Sequence, residues 1–290
     1  MIKSLAHALR LESDTPISRL ERLMLLEMLL GKPREYLLAH DDELLSEKQF
    51  DAFTMLLGLR SQGHPMAYLV GKREFFGLSF AVNQEVLIPR PETEWLVHAA
   101  IRLLPRHGTA LDLGTGSGAI AIALAHHRPD ARLMACDINP KALALARRNA
   151  QHLLGSGQQI RFQRSDWWEA VPLESLSLVL SNPPYLSMDD PHLMQGDLRF
   201  EPRLALSDEA DGLGAIHRES LIILVGRRMA CYHYLGRRII LHPICDDCQQ
   251  FVMEGNIRAS ILEPLTIGSV MIPGRHCEGV LLEEHVRQHR

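Results

Sequence analysis

The chain has 290 residues, a net charge of −4, 46% hydrophobic and 23% charged residues, which suits one large globular domain or a medium one with a smaller companion. That balance excludes the broad basic footprint of a non-specific nucleic-acid binder. The N-terminal MIKSLAHALRLES lacks the unbroken apolar stretch of an export signal, and LMLLEMLL (23–30) carries Glu27 and is far too short to cross a bilayer. No membrane association is therefore expected, and a cytoplasmic setting follows, with the five cysteines as reduced thiols.

Residues 1–70 read as a small all-helical domain. Leu20, Leu23, Met24, Leu26 and Leu30 recur at helical spacing until Gly31 and Pro33 break the pattern. A second helix follows Ser46, a fitting N-cap, and runs through Phe50, Phe53, Leu56 and Leu57 to the turn Gly63-His64-Pro65. Between 66 and 90, AYLVG, REFFGLSFAV and EVLIP read as short strands punctuated by Gly71 and Gly77, so residues 71–90 are expected to form a hairpin-like linker. PRPETEWLVHAAIRLL (89–104) then opens a helix, with Pro91 near its first turn and Glu92 and Glu94 at its positive end.

From 110 to 181 strand and helix alternate: ALDL, SGAIAIALAHHR, RLMACDI, PKALALARRNAQHLL, QIRFQ, LSLVLSN. This rhythm predicts an α/β core over 91–213, a mostly parallel sheet with helices on both faces. Ligands of such sheets lie outside the carboxyl ends of the strands, so the residues that follow each strand matter most.

After the first strand comes Asp112-Leu113-Gly114-Thr115-Gly116-Ser117-Gly118. Glycines allow positive φ and close approach of backbone N–H groups to a ligand. Their G-x-G-x-G spacing departs from the dinucleotide fingerprint G-x-G-x-x-G. With an acid just before it, the run resembles motif I of S-adenosylmethionine (AdoMet) methyltransferases. Asp137 ends the second strand, where a carboxylate can accept both ribose hydroxyls. Asn139 fits the N-cap of the next helix better than Asp137 does. Ser165-Asp166-Trp167-Trp168 follows the third strand, placing an acid for an adenine amino group beside an indole that packs on the ring.

The fourth strand stops at Asn182-Pro183-Pro184-Tyr185. A planar amide offers one acceptor and two donors, and the prolines fix φ and remove two backbone donors, leaving carbonyls aimed outward. Together they suit a planar –NH2 group. Its two hydrogens go to the Asn182 side-chain oxygen and the Pro183 carbonyl, and its plane stacks on Tyr185. That geometry favours the pyramidal nitrogen needed to attack a methyl donor, with catalysis by alignment and preorganisation and with no metal.

In this order and spacing, LDLGTGSGAIAIALA, ACDINPKALALARRNA, SDWW and SNPPY resemble the HemK/PrmC-type release factor glutamine methyltransferases. So do GHPMAYLVGKREFFGLSFAVNQEVLIPRPETE (63–94) and DPHLMQGDLRFEPRLAL (190–206). The resemblance covers about residues 1–213. It implies a class I AdoMet methyltransferase, with a Rossmann-like core preceded by an all-helical domain that docks the protein substrate. The implied reaction methylates the side-chain amide nitrogen of the glutamine in the GGQ motif of peptide chain release factors. It further implies that Gly114, Thr115, Gly116, Ser117, Gly118, Asp137, Asp166, Trp167 and Asn182 contact AdoMet. Asn182, Pro183, Pro184 and Tyr185 would bind the glutamine amide, Arg90, Pro91 and Glu92 would line the mouth, and Glu201 and Pro202 would help close it. A monomer acting on a protein, without direct nucleic-acid contact, is the expected working form.

Beyond Leu213 the resemblance stops. Residues 214–290 lack the Gly-Gly turn that the family would show, and read as a diverged or frame-disturbed tail whose apolar runs LIILV, RRIIL, SVMI and GVLLEE could each add a strand. Cys245-Asp-Asp-Cys248, with His242 before it and His276-Cys277 after, is one CxxC without a second pair at ligand spacing, a weak zinc signal. Two rivals stand beside the glutamine methyltransferase. An adenine N(6) methyltransferase would use the same NPPY grip but needs a basic surface or a target-recognition domain. A catalytically impaired AdoMet-binding protein would follow if the tail disrupts the site.

Overall fold

The computed structural model describes residues 3–11, 15–155, 160–167, 169–171, 176–184, 186 and 190–207, and beyond these the backbone of five strands between 220 and 282. Near the N-terminus α1 (Leu5–Leu9), α2 (Arg19–Leu30), α3 (Arg34–Ala39), α4 (Glu47–Ser61) and α5 (Met66–Val70) follow one another. Ser18 with Glu21, and Ser46 with Gln49, close reciprocal capping boxes on α2 and α4, satisfying first-turn amides that would otherwise be orphaned. Gly31 ends α2 in the left-handed conformation, as its place in the sequence suggests. Leu5, Leu25, Leu26, Leu37 and Phe53 are fully buried together and form the core of this unit. Leu20, read above as part of the apolar stripe of α2, is 51% exposed; the buried face runs instead through Arg22, Leu23, Leu25 and Leu26.

Two short segments differ from the sequence reading. AYLVG is helical in α5, because Pro65 opens the turn and Gly71, at φ 71°, closes it within one and a half turns. EVLIP belongs to no strand. Its Ile88 N–H donates to the Glu201 side chain at 2.9 Å, and its Val86 carbonyl accepts from the Tyr68 hydroxyl at 2.6 Å, so side chains satisfy the backbone that a ladder would otherwise serve. Between them β1 (Lys72–Phe75) and β2 (Leu78–Ala81) pair as the expected antiparallel hairpin.

The central sheet holds β3 (Thr109–Leu113), β4 (Arg132–Asp137), β5 (Ile160–Arg164) and β6 (Leu178–Ser181), in the order β6-β3-β4-β5 and all parallel. Side chains alternate across it. Ala110, Leu133, Ala135, Leu178 and Leu180 share one core with α6 (Glu94–Leu103), α7 (Ala119–His127) and α8 (Pro140–Leu154). Leu111, Leu113, Met134, Cys136 and Val179 face the other way, under Val171 and Leu176. A smaller cluster of Ala67, Val82, Val86 and Ile88 against Ala142 and Leu145 seats the linker on α8.

Past β6 the sheet continues through β7 (Ser220–Val225), β8 (Arg228–Leu235), β9 (Arg238–Pro243), β11 (Arg275–Leu282) and β10 (Ile267–Ile272), all antiparallel to their neighbours. Two residues separate β7 from β8, β8 from β9 and β10 from β11, too few for the crossover that a parallel pairing needs. LIILV and SVMI fall in β7 and β10, and the described parts of RRIIL and GVLLEE fall in β9 and β11.

Candidate functional site at the carboxyl ends of the strands

The turn after β3 is built from positive φ at Gly114 (75°), Gly116 (54°) and Gly118 (84°). A Cβ at Gly114 or Gly116 would meet nothing within 4 Å, so the main chain lies open there. At Gly118 it would come within 2.7 Å of Ile122 and 3.1 Å of Ala146, so this glycine serves the packing of α7 on α8. The turn is hung from the neighbouring strand. Gly114 and Thr115 N–H both donate to the Cys136 carbonyl, at 3.0 and 2.9 Å, and Gly116 N–H donates to Asp137 Oδ2 at 2.8 Å.

Thr115 and Ser117 are buried, and their side chains face inward. The Thr115 hydroxyl donates to Asp112 Oδ2 at 2.6 Å, and the Ser117 carbonyl accepts from Asn149. Their main chain is engaged as well: the Thr115 carbonyl accepts from Gly118 N–H at 2.8 Å, so the open main chain of the turn is that of Gly114 and Gly116. Asp112 also accepts from Ala121 N–H, while its Oδ1 is buried without a hydrogen-bond partner among the described residues. Burial pushes its carboxyl up to about 7, against the pull of the Thr115 and Ala121 hydrogen bonds. The same desolvation raises the Asp137 carboxyl and pushes the Cys136 thiol up to about 12, so that thiol stays protonated.

Asp137 sits at the end of β4, with Oδ1 accepting from Asn139 N–H at 2.9 Å, and Asn139 caps α8 as expected. The next residue, Ile138, is 46% exposed, an apolar side chain laid open beside the candidate ribose carboxylate. Its only mark in the sequence is its place directly after a strand-end acid. After β5, Asp166 is exposed and Trp167 is held at φ 45°, a conformation rarely adopted by a bulky residue. Ser165 holds that kink, donating to the Trp167 carbonyl at 2.8 Å and accepting from Ala170 N–H at 3.0 Å.

β6 ends beside β3, with Ser181 paired to Leu113 and its hydroxyl donating to the Leu113 carbonyl at 2.8 Å. Asn182 and Pro183 follow directly. The Asn182 Nδ2 donates to Thr93 Oγ1 at 3.3 Å, which ties the site to the turn that opens α6. Thr93 was not singled out in the sequence, because nothing local marks a contact across 89 positions. Tyr185 lies outside the described residues, as do Trp168, Cys245 and Cys248.

Arg90 does not stand free at the mouth. Its guanidinium bonds Glu201 Oε1 at 2.6 Å, and the Glu201 side chain is fully buried. Burial raises the Glu201 carboxyl, countered by Arg90 and by the Ile88 amide. Glu92 is exposed. The segment carrying Glu201 also reaches the helical unit: Phe200 packs on the His64 ring at 4.1 Å, Arg199 donates to the Gln62 carbonyl, and Asp197 lies 3.9 Å from Arg60.

An open glycine turn whose main chain a ligand can approach, with the Asp137 carboxylate and an exposed Trp167 at the next strand ends, fits AdoMet. Known proteins agree with this reading. The PrmC N-terminal domain model matches residues 3–71 and the methyltransferase small domain model residues 93–195. Release factor glutamine methyltransferase of Bordetella pertussis is 48% identical over 209 residues, covering 71% of this chain and 76% of the relative. Its counterpart in Burkholderia pseudomallei is 47% identical over 217 residues, covering 73% and 76%, and that of Escherichia coli 44% over 205 residues, covering 70% and 73%. With glycine turn, strand-end acid and NPP segment on one parallel sheet behind a helical unit, this chain belongs to the release factor glutamine methyltransferase family.

Proposed function

We propose that this chain methylates the side-chain amide nitrogen of the glutamine in the GGQ motif of peptide chain release factors, using AdoMet. The observation that carries the reading is the pairing of Leu113 with Ser181, which sets the open glycine turn and the Asn182-Pro183 amide grip side by side. The backbone of Gly114–Gly118 and the Asp137, Asp166 and Trp167 side chains would hold the cofactor. Bound AdoMet supplies the methyl group and retains the sulfur–carbon electron pair when the group leaves.

The protein's own part is to hold the acceptor. Asn182 Oδ1 and the Pro183 carbonyl accept the two N–H bonds of the glutamine amide and fix its plane. Pro183 and Pro184 lock the backbone that presents those oxygens. Tyr185 supplies the stacking face. With both N–H groups held, the nitrogen lone pair is directed at the methyl carbon, and one proton passes to water as the new bond forms. A glutamate in place of glutamine would leave these acceptors facing negative charge, so the grip selects the amide.

Residues 1–70 are assigned to docking the release factor, residues 71–90 to the linker, 91–213 to the catalytic core and 214–290 to an atypical C-terminal segment. The 197–201 segment touches both the helical unit and the Arg90 turn, which supports a link between docking and the mouth of the site. The reading places a monomeric enzyme in the cytoplasm, where release factors act, with no direct nucleic-acid partner.

The test is transfer of labelled methyl from AdoMet to a purified release factor, to the same factor with its GGQ glutamine replaced, and to duplex DNA. Label on the intact factor alone is the expected result. Label on DNA would overturn the substrate assignment in favour of the adenine reading.

A further inference from the structure

The helical unit and the mouth of the site are joined by a short strap, residues 197–201. The strap is wound on itself as the 3₁₀ turn Leu198–Phe200, with Phe200 N–H donating to the Asp197 carbonyl at 3.0 Å and Glu201 N–H to the Leu198 carbonyl at 3.1 Å. One end is bolted to the mouth, where buried Glu201 accepts from the Arg90 guanidinium at 2.6 Å and from Ile88 N–H at 2.9 Å. The rest lies against the end of α4. Asp197 is 3.9 Å from Arg60, Arg199 donates to the Gln62 carbonyl, and the half-buried Phe200 and His64 rings meet with centroids 4.1 Å apart.

The helical side of this junction is fixed as well. Arg60 pairs with Glu21 of the α2 capping box at 2.7 Å and donates to the His64 carbonyl at 3.1 Å, which ties the turn after α4 to α2. Gly63, at φ 92°, is bare where the strap crosses, and a Cβ there would overlap the Arg199 guanidinium. That guanidinium also lies 4.7 Å from the centre of the Phe200 ring. The Phe200 ring thus carries contacts from both sides of the junction.

Resting on the reading that residues 1–70 dock the release factor, we propose that Phe200 and His64 are positioning residues. Their ring contact fixes the helical unit against the mouth, so that a release factor held by the one presents its glutamine to the other. Two binding surfaces kept at a matched spacing grip a two-point partner more tightly than two that swing, because the second contact forms without further loss of freedom. A short, internally bonded strap leaves little slack between His64 at one end and Arg90 and Ile88 at the other.

The experiment uses the full chain and a purified release factor, with Phe200→Ala, His64→Ala, the double variant and His64→Phe. Labelled transfer gives kcat/KM for the factor, and titration gives the AdoMet Kd. Each alanine variant should lower kcat/KM about fivefold, the worth of one aromatic contact. The double variant should fall no more than about twofold below either single one, because the second alanine removes a contact already lost. His64→Phe restores a ring face for Phe200 and should lie within about twofold of the parent. AdoMet Kd should stay within about twofold in all four.

Alanine variants that transfer methyl like the parent overturn the proposal. So does a double variant near the product of the single losses, about 25-fold down, since each ring would then act on the release factor by itself. A His64→Phe variant as weak as His64→Ala overturns it too, because the ring contact would not be what matters. A fall in AdoMet affinity that matches the fall in kcat/KM also overturns it, by showing that the contact supports the fold of the core instead of the angle of the helical unit. A parent chain that binds AdoMet but never labels the release factor sinks the function reading itself, a result that no variant in this set can imitate.

Discussion

The turns that leave β3 and β6 start from paired residues and are built in opposite ways. Gly114, Gly116 and Gly118 all take positive φ, and two of the three have open space where a side chain would stand. Pro183 and Pro184 do the reverse, fixing φ and withdrawing two backbone donors. A turn that lets a large ligand lie against its main chain must be bare and conformationally permissive. One that presents oxygen atoms to a small amide at a set angle must be stiff. On the proposed function, cofactor grip and substrate grip divide between the two extremes of backbone freedom, on neighbouring strands.

The sharpest way to break this division is at Asn182. Asn182→Ala should lower kcat for release-factor methylation by about a hundredfold or more while AdoMet Kd moves by less than about tenfold, measured by labelled transfer and by titration. A loss of AdoMet binding to match the loss of rate would show that the two turns are not separate in function.

Next come the glycines. Gly116→Ala strains a φ of 54°, at a cost of about 1 kcal/mol of stability, and puts a methyl into the open space, so AdoMet affinity should fall about tenfold. Gly118→Ala meets Ile122 and Ala146 instead, and should cost about 1–3 kcal/mol of stability, read from the denaturant midpoint. The same substitution two residues apart should therefore weaken AdoMet binding at Gly116 and cost the more stability at Gly118.

A smaller effect is expected at the clamp that holds the mouth. Glu201→Gln keeps an oxygen for Ile88 N–H but removes the charge paired with Arg90. Stability should fall by about 2 kcal/mol, and KM for the release factor should rise while AdoMet Kd holds.

Asp112→Asn should move activity least and is read through pH. The unfolded chain ionises this carboxyl near its ordinary value, whereas the folded chain keeps the proton up to about 7. Unfolding therefore releases a proton between about pH 4 and pH 7, and the parent loses stability as pH rises through that window. The asparagine variant lacks that slope, so the difference in unfolding free energy between the two should grow in the variant's favour from pH 4 to pH 7.

Much of this arrangement is legible in the sequence where the cause is local. α8 runs from Pro140 to Leu154, as PKALALARRNAQHLL suggests, because Asn139 caps it and Gly155 ends it. The parallel strands are legible because each apolar run stops at a residue with chemistry, Asp137 and Asn182 among them. The misses are where partners are distant or the segment is short. α5 is five residues, too few for a helical period to show, so AYLVG read as a strand. EVLIP is a short β-branched apolar run like a strand's, yet its Ile88 N–H is answered by Glu201, 113 positions away. Thr93 and Asn182 meet across 89 positions, with only an ordinary threonine as a clue. Thr115 and Ser117 show the converse: their spacing identifies the turn, but only the fold reveals that their side chains face inward.

The pairing of Leu113 with Ser181 has one further consequence. Neighbouring strands lie about 4.8 Å apart by the geometry of their hydrogen bonds. The distance between the two gripping turns is thus fixed by the sheet, as by a ruler, and by the Ser181–Leu113 bond at its end. Recognition of the protein substrate can then drift without disturbing that spacing. On the proposed function, a graft of another unit ahead of residue 71 would inherit both turns at that spacing, and would have only to deliver a different amide to them.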